Sequence, residues 1–132
     1  MRPPARSRQN RIILVGSNAS AVTALWNLAA ANADIRWYAD HPDVGAEVGV
    51  AHGLGRGRIE LRLDDPRAAP LDGAVVVAER RDGLDVEMAE RARAAHVPVH
   101  VIGRPDLSTV ALADLPGSSP RGGALRSAAV AG

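Results

Sequence analysis

An α/β fold with a mainly parallel, helix-flanked sheet is the expectation for this chain, and three observations carry it. Short apolar runs alternate along the sequence with longer stretches of helical periodicity. The apolar residues are almost all Val, Ile, Leu and Ala, since Phe is absent, Tyr occurs once and Trp twice. That palette suits a sheet buried on both faces beneath Ala-rich helices. The opening stretch "RIILVGSNASAVTALWNLAAANADIRWY" reads as strand, glycine turn, helix and strand, which is the size of a mononucleotide-binding half.

Each element follows from its own pattern. Residues 11–15 form a short apolar run closed by Gly16, as a buried strand does. From residue 19 to 31, Ala21, Val22, Leu25, Leu28 and Ala29 recur at helical spacing. Ser17 or Asn18 is available to cap that helix, and Asn32 stands where its last turn ends. Residues 34–38 alternate into a second strand. The Gly-rich stretch "ADHPDVGAEVGVAHGLGRGR" supports only a weak helical turn over residues 44–50. Over residues 58–63, Ile59, Leu61 and Leu63 face one way while Arg58, Glu60 and Arg62 face the other. A connection, "DDPRAAPLDG", leads to "AVVVA" at residues 74–78, expected to be the most buried strand. Asp82 is then expected to cap a helix running to Ala95. Asp85 and Glu87 fall in its first turn, where the helix dipole favours acids. Met88, Ala89, Ala92 and Ala95 form its inner face. Residues 97–102 complete the sheet. A Rossmann-like domain is therefore expected over residues 11–113, between a disordered lead-in (1–10) and a flexible Gly-, Ser- and Pro-rich tail (114–132).

Composition excludes several functions. A chain of 132 residues suits one domain. A formal net charge of +1 gives no broad field for nucleic acid or a membrane surface. Every basic residue other than His is Arg, so neither a P-loop lysine nor a Schiff-base lysine exists. The absence of Cys removes disulfides, thiolate metal sites and thiol catalysis. No apolar run approaches transmembrane length. The opening "MRPPARSRQN" leads into no apolar stretch of the secretory type, so the cytoplasm is the expected compartment. His41, His52, His96 and His100 share no metal-ligand spacing, and no metal is expected. A flavodoxin-like receiver domain is excluded because its first strand would end in acids, whereas this one ends in Gly-Ser-Asn.

The candidate site lies at strand ends. In a dinucleotide turn the first Gly makes the bend and the second lets the backbone approach the pyrophosphate. Here Gly16 fills the first position, Asn18 the second, and Ala21 the third. Ser17 and Asn18 either hydrogen-bond a phosphate or serve only as helix caps. Asp40, just past the second strand, stands where an acid meets ribose hydroxyls; the alternative is a solvated loop acid. Glu79 and Arg80 sit at the end of the strand over residues 74–78, on the edge where open α/β sheets bind ligands, or they form an exposed loop pair.

Three stretches carry a family resemblance. "RIILVGSNASAV" resembles an opening V-G-G-G-x-V-A turn, and "GRIELRLDDPRAAPLDGAVVVAE" resembles a G-R-I-E … D-L-x-G-A-x-L-V-I-A-A-T stretch. "ERARAAHVPVHVIGRPDLSTV" resembles A-A-R-x-x-G-I-x-V-N-V-V-D-x-P-x-L-C-x-F. In one register over residues 11–113, the chain resembles the precorrin-2 dehydrogenase / sirohydrochlorin ferrochelatase family, the N-terminal domain of siroheme synthase. The resemblance implies NAD as cofactor, precorrin-2 as tetrapyrrole substrate, oxidation to sirohydrochlorin, and a homodimer. It also marks departures. The family's N-V-V-D falls on His100, Val101, Ile102 and Gly103, so the Asp assigned to dehydrogenation and chelation is replaced by Gly103. A lost general acid or base typically costs about 10²–10⁴-fold in rate, so the expectation is either a dehydrogenase of impaired activity or a degenerate relative that binds nucleotide or tetrapyrrole without catalysis. The family's A-A-T-D-D becomes Ala78, Glu79, Arg80, Arg81 and Asp82. "LSTVALADL" approximates the S-F-x-x-P segment, after which the family continues into a dimerisation region. Only the tail follows here, which implies a shortened relative.

Overall fold

The computed structural model describes residues 11–40 and 45–115. Five parallel strands form one sheet: β1 (Arg11–Val15), β2 (Asp34–Tyr38), β3 (Ile59–Arg62), β4 (Ala74–Val77) and β5 (Val99–Val101). Their order is β3-β2-β1-β4-β5. Helix α1 (Ala19–Ala30) joins β1 to β2, α2 (Gly45–His52) joins β2 to β3, and α3 (Leu84–Ala94) joins β4 to β5. This is a Rossmann-like α/β fold, with its topological switch between β1 and β4.

The central strands are apolar because both of their faces are covered. Ile12 to Val15 and Ala74 to Val77 are all buried. Ile12, Leu14 and Val76 pack under α1 with Leu25 and Leu28, while Ile13, Val75 and Val77 pack against Met88, Ala89 and Ala92 of α3. The register pairs Ile13 with Val75 and Val15 with Val77, so β1 and β4 end level and their following loops lie side by side.

The outer strands alternate for a different reason. The β3–β4 connection holds no α-helix, only a 3₁₀ turn over Pro66–Ala68 capped by the Asp65 side chain. Charged residues occupy the sheet face that a helix there would have covered. Arg36 of β2 pairs with Asp72 at 3.2 Å and with Glu60 of β3 at 3.8 Å, and Arg11 pairs with Asp72 at 2.9 Å.

Several expectations need correction at element ends. Asp82 does not cap α3. It lies in a 3₁₀ turn with φ 57°, and Gly83, φ 72°, is the N-cap residue. Two consecutive left-handed residues turn the chain before the helix starts, and Asp tolerates that region better than most. Ala95 is exposed because α3 ends at Ala94. Leu63 is exposed because β3 stops at Arg62. The last strand covers Val99–Val101 rather than residues 97–102. Over the expected weak turn at 44–50, an eight-residue helix forms from Gly45 to His52; residue 44 lies outside the described residues. Packing extends past residue 113, since Leu115 is buried in the α1-side core. The expected lead-in (1–10) and residues 116–132 of the expected tail lie outside the described residues.

The outer edge of β5 is finished by hydroxyls. The Val99 amide donates to Thr109 Oγ1 at 3.0 Å, and the Val101 amide to Ser108 Oγ at 2.8 Å. Side-chain acceptors on these amides stop the edge from recruiting another strand.

Candidate ligand site at the carboxyl edge of the sheet

The β1–α1 turn is held from three sides. Gly16 has φ 127°, and its amide donates to the Tyr38 carbonyl at 3.0 Å. Its carbonyl accepts from the buried Trp37 indole Nε1 at 2.6 Å. A Cβ at this position would stand 3.2 Å from both Ala78 Cβ and the Glu79 amide nitrogen. Glycine is thus required by the backbone angle and by the close approach of the β4 loop.

Asn18 caps α1. Its Oδ1 accepts from the Ala21 amide at 2.9 Å, and its Nδ2 donates to the Ala78 carbonyl at 2.8 Å. The side chain therefore ties the start of α1 to the end of β4, across the switch point. Ala21 is buried and its amide is used by that cap.

Ser17, Asp40 and Arg81 meet next to this turn. The Ser17 hydroxyl donates to Asp40 Oδ1 at 2.8 Å and accepts from the Asp40 amide at 2.9 Å. Arg81 donates to Asp40 Oδ2 and also lies 3.7 Å from Glu79. The Arg81 hydrogen bond, aided by Ser17, holds the Asp40 carboxyl below the usual aspartate value, so it is ionised at neutral pH.

These groups face a cleft of about 470 Å³ at the carboxyl ends of β1, β2 and β4. Gly16, Ser17, Asp40 and Glu79, all singled out in the sequence, line it. Asn18, Ala21 and Arg80 do not. Sequence reasoning missed Arg81, which closes the cleft from the β4 side. Two arginines stand in succession there, and only the 3₁₀ turn over Arg81–Gly83 decides which one reaches Asp40. The lining carries Asp64, Asp65 and Asp82 besides Asp40 and Glu79, against Arg67 and Arg81. Such an acid-rich lining favours hydroxyl donors over phosphate.

The position marked by the resemblance lies one strand further on. Gly103 follows β5 with φ 80°. The neighbouring acids on that side are engaged. Arg104 pairs with Asp85 at 3.2 Å and with Asp106 at 3.0 Å. His100 is half-buried, with Nδ1 3.1 Å from the Val110 carbonyl. Among the described residues, no group of three or more His, Asp or Glu side chains is placed to hold a metal ion.

Acid pH should expose the role of the surface carboxylates. Arg81 holds Asp40 below its ordinary value of 3.8, Arg62 does so for Asp64 and Arg104 for Asp106. A depressed folded-state pKa contributes stability above the unfolded value and loses it as pH falls through the folded value. Thermal melts should therefore hold their midpoint from neutral pH down to the ordinary aspartate range and fall below pH 3.8.

No family model, curated protein or solved structure matches the chain. Among the described residues, no helix is long and apolar enough to cross a membrane.

Proposed function

We propose that this chain is a cytoplasmic NAD-binding domain of siroheme biosynthesis, of the precorrin-2 dehydrogenase type, with precorrin-2 as its tetrapyrrole ligand. One observation carries the cofactor reading: an ionised Asp40 at the end of β2, beside the Gly16–Ser17 turn, facing a cleft at the carboxyl edge. In open α/β sheets an acid in this place accepts from ribose hydroxyls. Asp40 and Ser17 would hold the adenosine ribose, and Gly16 leaves the backbone of the turn bare. The adenosine end of NAD fits this lining. At the pyrophosphate approach the fit is tighter, because the Asn18 side chain spans it. The surrounding acids disfavour a ribose 2′-phosphate, which supports NAD over NADP.

Bound NAD supplies a hydride acceptor. The chain's own contribution would be to orient the cofactor and to take up a proton. The resemblance puts the proton acceptor at residue 103, where glycine has no side chain to serve. Asp85 and Asp106, on the same side, are both ion-paired with Arg104. This favours a second reading, in which the domain binds nucleotide or tetrapyrrole without oxidising it. Incubation of the chain with precorrin-2 and NAD should then yield no NADH above the rate without protein; clear NADH formation would reject that second reading.

The cofactor reading is tested by calorimetry on the full chain. NAD should bind at millimolar affinity or better, with NADP weaker. Replacing Asp40 with Asn removes a charged acceptor, and hydrogen bonds to charged groups are worth about 1.5–3 kcal/mol. Asp40→Asn should accordingly weaken NAD by roughly tenfold or more. Equal affinity in the two proteins would remove Asp40 from the site.

A further inference from the structure

Arg80 and Gly103 stand together on the carboxyl edge, on the β5 side of the switch point. The arginines near that edge are otherwise engaged. Arg81 pairs with Asp40, Arg62 with Asp64, Arg67 with Glu87, and Arg104 with Asp85 and Asp106. Arg80 makes no ion pair or side-chain hydrogen bond among the described residues. Its guanidinium nevertheless has a defined seat. A Cβ on residue 103 would lie 2.7 Å from Arg80 Nη2, so the head group rests against the bare backbone of Gly103. A side chain at 103 would compete with it for that place, and the left-handed φ of 80° also favours glycine there.

Where the resemblance would place an acid, this chain has a glycine with a cation beside it, an arrangement suited to anion recognition rather than to proton transfer. A guanidinium offers a planar fork of donors that matches carboxylate and phosphate oxygens. Gly103 also lines an open cleft of about 450 Å³ that includes His100, Ser108 and Thr109. Arg80 is exposed and lines neither this cleft nor the Asp40 cleft, so its guanidinium is open to a ligand that crosses the edge outside the Asp40 cleft.

We infer that Arg80 is an oxyanion receptor for the part of a ligand that extends past the switch point toward β5, with Gly103 making room for its head group. The inference rests on the carboxyl edge being the ligand edge, as in the function proposed above. The oxyanion has two sources, a phosphate of the dinucleotide or a carboxylate of a second ligand.

Three probes separate these sources in titrations of the full chain and of Arg80→Gln. Adenosine carries no oxyanion and reports the Asp40 cleft alone. NAD adds the phosphates. Uroporphyrin, a stable porphyrin with carboxylate side chains on every ring, supplies the carboxylates. Arg80→Gln should leave adenosine unchanged and weaken either NAD or uroporphyrin by roughly tenfold or more; the ligand that weakens identifies the source. Arg80→Lys, which keeps the charge but not the fork, should recover part of the loss. Unchanged binding of both NAD and uroporphyrin to Arg80→Gln would overturn the inference while leaving the Asp40 reading intact. Arg80-dependent uroporphyrin binding without adenosine or NAD binding would support Arg80 and remove the nucleotide reading. Failure of all three probes to bind the wild-type chain would overturn both.

Discussion

Gly57→Ala should destabilise the fold by about 2–4 kcal/mol, from the middle of the usual cost of overpacking to above it. A Cβ at residue 57 would sit 1.9 Å from the Ala33 carbonyl oxygen and 2.5 Å from its carbon. These are backbone atoms of the residue just before β2, so no rotamer change relieves the clash. The chain must separate where it enters β3, and the β2–β3 pairing that begins at Ile35 and Ile59 depends on that entry. Nearby bonds would be lost as well, including that from the Ile35 amide to the Arg58 carbonyl at 2.7 Å. Urea denaturation followed by circular dichroism checks this. A midpoint within error of wild type would show that the loop before β3 does not approach β2 as described.

Gly16→Val should cost roughly 3 kcal/mol or more and, under the function proposed above, should also abolish NAD binding. A β-branched residue at φ 127° is strained, and strain of this kind is worth about 1–3 kcal/mol before any contact is counted. Contacts add to it, because the new Cβ would press on Ala78 and Glu79 at 3.2 Å. Relief would require the β1 turn to move away from the end of β4. The Asn18 tether to the Ala78 carbonyl and the Trp37 bond to the Gly16 carbonyl span that same gap. Ser17 would then leave Asp40. Stability is read from thermal melts and affinity from calorimetry at a temperature where the variant is still folded. A folded Gly16→Val protein with wild-type affinity for NAD would separate the turn from the site.

The sheet was readable from the sequence because its signals are local. An apolar run from Ile12 to Val15 and another from Ala74 to Val77 mean burial on both faces, and the periodicity from Ala21 to Ala29 means one buried helix face. Glycines defeated the reading between residues 45 and 57. Those in α2 lower helix propensity, whereas Gly57 permits a backbone approach to β2, and that contact is tertiary. Asp82 misled because its residue type suits a helix cap, while the chain uses it in a left-handed turn. Leu115 gave no signal, as a single apolar residue in a Gly- and Pro-rich stretch has no period to reveal it.

The site was readable to the extent that it lies at strand ends. Gly16, Ser17 and Asp40 follow β1 and β2 directly, so their proximity follows once the strands are paired. Arg81 and the seat of Arg80 on Gly103 depend on the path of a short turn after β4, which residue types alone do not determine. Asn18 fell between the two cases. Its place at the helix start was evident, whereas its bond to the Ala78 carbonyl required the β1–β4 pairing.

In the function proposed above, the cleft beside Asp40 receives the adenosine half of NAD. Backbone-amide NMR of the labelled full chain, titrated with NAD, tests this most directly. Saturable shifts are expected at Gly16, Ser17, Asp40 and Arg81, with the outer face of α2 and the opposite edge of the sheet near Arg58 unchanged. The absence of saturable shifts, or shifts confined to residues away from the carboxyl edge, would contradict it.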